Sequence, residues 1–180
     1  TRRRRQRQMC IRDRAEQKQS EQGQQKEQDL CMVIVKETTI KDIKKLWNII
    51  SDWGNMSYLN RVKECVLTNK DQVKNGEVGS KRKVTLVNDL GSLDEVVTSI
   101  DNDKYCIGYT IEVNTPILPV ENYSAISQLK QAKDGENVTW EGTLKFKAKK
   151  GVTNDKALDA VKAVVLGTMV QIVNYAATKQ

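Results

Sequence analysis

Arg82, Glu95 and Tyr123 are the residues of this chain whose types and positions are best suited to chemistry. A carboxylate can take up and return a proton, a guanidinium can hold an oxyanion, and a phenol can orient or protonate a substrate. Their setting singles them out, because each lies in a strand-like stretch that otherwise reads as the wall of an apolar pocket. At period 2, Val78, Ser80, Arg82, Val84 and Leu86 share one face, while Gly79, Lys81, Lys83 and Thr85 share the other. The pleat therefore sends Lys81 and Lys83 to the polar side and Arg82 to the valines. A guanidinium on an apolar face is costly without a partner. Two outcomes are open: an internal ion pair, or a working charge inside a cavity.

The neighbouring segments set the context. Tyr105, Ile107, Tyr109, Ile111 and Val113 alternate with polar or small residues, and so do Val138, Trp140, Gly142, Leu144 and Phe146. Both read as antiparallel strands, apolar inside and polar outside. Tyr123 shares a parity with Ala125, Ser127 and Leu129 and points inward with them. Parity does not place Glu95. Its own set is Leu93, Glu95, Val97 and Ser99, the opposite set is Asp94, Val96, Thr98 and Ile100, and neither is cleanly polar.

These residues need elements to hold them. A strand near 31–38 leads to Thr39 as N-cap and a helix over 40–51, with Ile40, Ile43, Leu46, Trp47 and Ile50 as its apolar stripe. The broken stretch 52–60 contains Gly54 and has room for a short second helix. Trp53 and Tyr58 within it are placed at a pocket mouth. Strands follow near 61–70, 77–87, 92–101, 104–114, 121–133 and 137–148, with turn signals at Asn75-Gly76, at 101–103 and at Asp134-Gly135. A final helix over 154–177 carries Leu158, Val161, Val165, Met169, Ile172 and Ala176 at helical spacing. Asp159, Lys162, Gln171 and Asn174 interrupt it, which argues against a membrane span. The helix is the natural cover for the apolar face of the sheet. Mid-helix Gly167 reads either as close packing against a strand or as room for a ligand. Pro116 and Pro119 frame Ile117-Leu118 as either a mobile gate or a packed corner.

The order of these stretches resembles a known superfamily. Asp52-Trp53-Gly54-Asn55, then 78–82, Glu95 through Asp101, Tyr109, Leu118-Pro119-Val120-Glu121-Asn122-Tyr123 and Val138-Thr139-Trp140 together carry the likeness. The chain resembles the START-like, helix-grip superfamily, which includes the birch pollen allergen and the polyketide cyclase/dehydrase group. Within it, the chain is most similar to plant-type, lachrymatory-factor-synthase-like members. The resemblance covers about 32–177. It implies an α+β helix-grip fold, a curved antiparallel sheet wrapped around a long C-terminal helix with an internal cavity. It also implies that Arg82, Glu95 and Tyr123 match the arginine, glutamate and tyrosine of that group's active site, which puts Glu95 inside. Lys81 and Lys83 depart from the apolar or aromatic neighbours expected beside that arginine. Tyr109, Leu118, Trp140, Leu144, Val165, Met169 and Ile172 are the candidate ligand-binding residues. Trp140 reads more readily as core than as a ligand-stacking ring.

Composition bounds the rest. The chain has 180 residues and no histidine. Ser-His-Asp and Cys-His catalysis are excluded, and zinc hydrolysis loses its commonest ligand. Cys10, Cys31, Cys65 and Cys106 have no paired spacing and read as free thiols of a reducing compartment, the cytoplasm. No metal and no cofactor are expected, and nucleotide motifs are absent. Residues 1–29 hold nine Lys/Arg, five Asp/Glu and eight Gln, and so carry +4 of the formal +7 charge. Such a segment cannot bury enough surface to fold. Within it, 8–14 resembles translated sequencing adaptor, which would make residues 1–31 a tail and 32–180 the domain, with Met32 a natural start. Nucleic acid is not an expected partner, and stable membrane insertion is not expected. The function expected is binding of a small apolar or amphipathic molecule, with isomerisation, dehydration or cyclisation of it by Arg/Glu/Tyr acid–base chemistry. The alternatives are a carrier or sensor with the same pocket and no chemistry, and an interaction protein working through the basic arm.

Overall fold

The computed structural model describes residues 28–133 and 135–179. Strand β1 (Leu30–Glu37) precedes helix α1 (Ile43–Ser51). Then come β2 (Val62–Leu67), β3 (Lys81–Leu86), β4 (Ser92–Asp101), β5 (Cys106–Asn114), β6 (Val120–Gln131) and β7 (Val138–Ala148). Helix α2 (Asn154–Thr178) ends the described chain. The seven strands form one antiparallel sheet in the order β1-β7-β6-β5-β4-β3-β2. The first strand thus lies beside the last, Leu30 opposite Phe146 and Ile34 opposite Gly142. Helix α2 packs against α1, β1 and β7 and presents Ala157, Val161, Met169, Ile172 and Val173 to the core. By length and composition α2 could cross a membrane. Here it is the helix that the sheet grips.

The expected helix-grip arrangement is present, with local differences that have physical causes. Helix α1 begins at Ile43, because the chain from β1 keeps pairing with the start of β7: Thr38 N donates to Val138 O and Val138 N to Ile40 O. The N-cap is therefore Asp42, not Thr39; its Oδ1 accepts from Lys44 N at 2.9 Å and Lys45 N at 3.3 Å. The stretch 52–60 forms a run of turns, closed by bonds such as Trp53 N to Ser51 O and Leu59 N to Met56 O, and not a second helix. Val78 is 56% exposed, not inward, because Gly79 at φ +86 breaks the strand and β3 starts only at Lys81. Strand β1 takes in Leu30 and Cys31, two residues ahead of Met32, and Asp29 pairs with Lys145 at 2.8 Å. The tail as far as residue 27, with Cys10, lies outside the described residues, as does Asp134 of the Asp134-Gly135 turn. Cys31, Cys65 and Cys106 are free thiols.

Two β-bulges decide which side chains face inward. On β4 the register shifts between Val97 and Ser99, which leaves Thr98 as the extra residue opposite Tyr109 and Gly108. Before the bulge Glu95 and Val97 are buried; after it Thr98 and Ser99 are exposed and Ile100 packs on the core. That switch is why neither parity set of this strand is clean. On β6 a second shift lies between Glu121 and Ser124, with Asn122 at φ +53. It lets both Val120 and Tyr123 point inward although they are three residues apart. Bulges of this kind re-aim side chains next to sites.

Candidate functional site

Arg82, Glu95, Ile111 and Tyr123 stand opposite one another on four consecutive strands, β3 to β6. Arg82 and Glu95 are direct cross-strand neighbours, 8% and 4% exposed. Arg82 Nε donates to Glu95 Oε2 at 2.7 Å, and Nη2 lies 2.5 Å from the same oxygen. Nη1 donates to the Trp53 carbonyl at 2.8 Å. The Trp53 ring lies over the guanidinium, with Cζ 3.6 Å from its centroid. Trp53 thus holds Arg82 by its backbone and its ring together.

The Trp53 segment is itself fastened. Asn75 Nδ2 donates to Asp52 Oδ1 at 2.8 Å, and Gly54 N donates to Asn75 Oδ1 at 2.9 Å. The Asn75-Gly76 turn can approach because Gly76 has φ +79, and a Cβ there would stand 2.6 Å from Ser51 O. Trp53 is 2% exposed and belongs to the interior, not to the pocket mouth expected from sequence. Nothing local in the sequence marks it as the partner of Arg82.

The two tyrosines extend this polar wall. Tyr109 packs on Trp53, ring centroids 5.3 Å apart, and Tyr123 stacks on Phe146 at 6.0 Å. Burial pushes the Tyr109 phenol up to about 12; the charge of Glu95 adds to this and Arg82 opposes it. Burial likewise holds Tyr123 well above the ordinary phenol value, with Tyr109 and then Glu95 adding. Both therefore stay protonated donors at neutral pH. Among the described residues neither hydroxyl finds a hydrogen-bond partner. Ile111 separates Glu95 from Tyr123, so at about 4.8 Å per strand their backbones lie about 10 Å apart. Tyr109 adjoins the ion pair through Trp53, and Tyr123 lies beyond it.

These side chains line an internal cavity of about 140 Å³ between the sheet and α2. All the expected site residues border it. Arg82, Glu95, Tyr109 and Tyr123 make its polar end, Leu118, Trp140 and Leu144 its sheet wall, and Val165, Met169 and Ile172 its helix wall. Trp140 Nε1 donates to Ser127 Oγ at 2.5 Å, so only the indole ring is free to meet a ligand. Leu118 is 3% exposed, and Lys149 N donates to Pro119 O, so the Ile117-Leu118 loop is a packed corner. The close approach of α2 to the sheet falls at Gly142, where a Cβ would come 3.2 Å from Met169 Cε, and not at Gly167. A wider dish of about 930 Å³ on the outer face of β3–β6 is bordered by Lys81, Asp94, Glu112 and Glu121, and its open, charged wall does not suit an apolar ligand.

Sheet, gripped helix and cavity define a helix-grip protein. The chain belongs to the polyketide cyclase/dehydrase and lipid transport family, whose model matches residues 41–175. That description joins a reaction on polyketides to the carriage of lipids, and both require an apolar molecule to be held by the protein. Solved structures agree in fold. The crystal structure of Ara h 8.0201 superposes with a TM-score of 0.66 at 20% identity, over 83% of this chain and 100% of that one. An uncharacterized protein of Bacillus thuringiensis gives 0.67 at 15% identity, over 82% and 99%. The protein XoxI of Bacillus cereus gives 0.67 at 14% identity, over 82% and 96%. No curated protein matches the sequence.

Proposed function

We propose that this protein binds a small apolar molecule carrying one neutral polar head, and that Arg82, Glu95 and Tyr123 isomerise, dehydrate or cyclise it. The observation that carries the reading is a buried ion pair set in the wall of an apolar cavity, with one protonated phenol adjoining it and a second beyond it. The pair is internally neutral. An anionic head would face Glu95 as well as Arg82, and a cationic head the reverse, so a carbonyl or hydroxyl fits best. Glu95 Oε1 receives no hydrogen bond among the described residues and is the atom that would accept a substrate proton. Glu95 would take a proton from one carbon of the substrate and return the same proton to another, while a tyrosine hydroxyl hydrogen-bonds to the substrate oxygen and keeps its own proton. The remaining N–H groups of Arg82 would stabilise the oxyanion formed between the two transfers. Tyr109 shares this role with Tyr123, since it adjoins the pair.

The carrier reading rests on a specific observation as well. Arg82 already has Glu95, the Trp53 carbonyl and the Trp53 ring as partners, which is what a structural ion pair requires. Glu95→Gln separates the two. Native mass spectrometry of the purified protein identifies a retained ligand, and titration of an apolar dye measures the cavity. An enzyme loses turnover of that ligand in Glu95→Gln and keeps dye binding; unchanged turnover rejects the catalytic role. Absence of any saturable dye binding rejects the cavity reading itself.

A further inference from the structure

A second cavity of about 140 Å³ adjoins the first. Met56, Leu93, Leu118, Val164 and Thr168 border both, so the two are neighbouring lobes that share these side chains. The second lobe lies between the 56–62 segment, β3 and the middle of α2, with Leu59, Val84, Leu86 and Ile117 in its wall. No side chain of the acid–base wall borders it. Of its polar neighbours, Gln171 Oε1 accepts from Asn60 N at 2.7 Å, Gln171 Nε2 donates to Gly167 O at 3.3 Å and Thr168 Oγ1 donates to Val164 O at 2.9 Å, while the exposed Arg61 guanidinium makes no hydrogen bond or ion pair among the described residues.

Gly167 borders this lobe and puts no side chain into it. Glycine is the poorest residue after proline for a helix interior. A Cβ added at Gly167 would meet no atom within 4 Å. Packing therefore does not call for glycine here, and the half-buried position has open space beside the lobe that it borders. A space near 150 Å³ accommodates a ligand about the size of benzene. One lobe thus holds a short apolar group, and two in series hold an extended one.

We infer that the second lobe is a subsite for the alkyl tail of a ligand whose neutral head lies at the Arg82–Glu95 end, and that Gly167 sets the tail length accepted. The inference rests on the proposed binding function and specifies its ligand as an extended, singly functionalised alkyl compound. Met56, unbranched and adaptable, is the side chain best able to yield between the lobes.

The test is displacement of a bound apolar dye by straight-chain methyl ketones of increasing length, with the full chain. In the wild type, affinity should rise about fourfold per methylene and continue past the length that one lobe holds. Gly167→Leu should bind short ketones as the wild type does and gain nothing further once the tail reaches the second lobe. Ala163→Leu, one turn earlier at an exposed position bordering the same lobe, should give a weaker truncation of the same kind. Identical length profiles in the wild type and both variants overturn the subsite while leaving ligand binding standing. An equal loss for short and long ketones also overturns it. If no ketone displaces the dye from the wild type, the proposed ligand class falls and the subsite with it.

Discussion

Arg82 and Glu95 face each other across the β3–β4 ladder, and Nε and Nη2 of the arginine reach the same carboxylate oxygen, at 2.7 and 2.5 Å. Both are nearly fully buried, so removing either leaves an uncompensated charge in the core. Arg82→Met or Glu95→Leu alone is expected to cost about 3–5 kcal/mol of stability. The double variant should cost clearly less than the sum of the two. Urea denaturation of the cycle measures this; additive losses would show that the pair is not coupled.

Trp53 offers Arg82 a ring face, but its own Nε1 has no hydrogen-bond partner among the described residues. Phenylalanine keeps a ring face and deletes that unpaired donor together with part of the ring's bulk. Trp53→Leu should therefore destabilise by about 3 kcal/mol, and Trp53→Phe by distinctly less. Equal losses in denaturation would mean that the ring's bulk alone matters.

The Trp140–Ser127 bond joins two buried side chains on β7 and β6. Ser127→Ala strands an indole N–H and should cost about 1–3 kcal/mol. Trp140→Phe should cost less in the Ser127→Ala background than in the wild type, because the donor it removes is already stranded there. A Ser127→Ala melting temperature equal to that of the wild type would contradict the bond's role.

Tyr109 and Tyr58 have phenols raised by burial to about 12 from an ordinary value near 10. A phenol that is harder to ionise when folded supports the fold while protonated. Its contribution is complete below about pH 10 and is lost as the pH rises through about 12. Denaturation midpoints should fall over that window, and Tyr109→Phe should flatten the fall. A profile indifferent to Tyr109→Phe would place its titration elsewhere.

Leu30 is 9% exposed and pairs with Phe146, while the residues before Asp29 are almost all polar. A chain beginning at Asp29 is expected to melt within a few degrees of the full chain. One beginning at Met32 should lose about 2 kcal/mol more, the burial of Leu30. Calorimetry of the two decides whether residues 1–28 contribute to folding.

Alternation along single strands was enough to place Arg82 with Ser80, Val84 and Leu86, Tyr123 with Ala125 and Leu129, and the apolar faces of β5 and β7 toward a covering helix. Each of those facts depends on one strand's pleat, a local property. Glu95 was not legible in this way, because the extra residue at Thr98 exchanges the two faces within one strand, and a bulge is defined only by its pairing partner. Trp53 was misplaced for a related reason. Its position depends on Asn75, over twenty residues away, and on a guanidinium that reaches it only when β3 folds beneath it. The meaning of Gly167 waited on the same level of structure, since only the assembled sheet shows whether anything stands opposite a helix residue. Periodicity determined which side chains face inward; contacts between residues distant in sequence decided which of them meet.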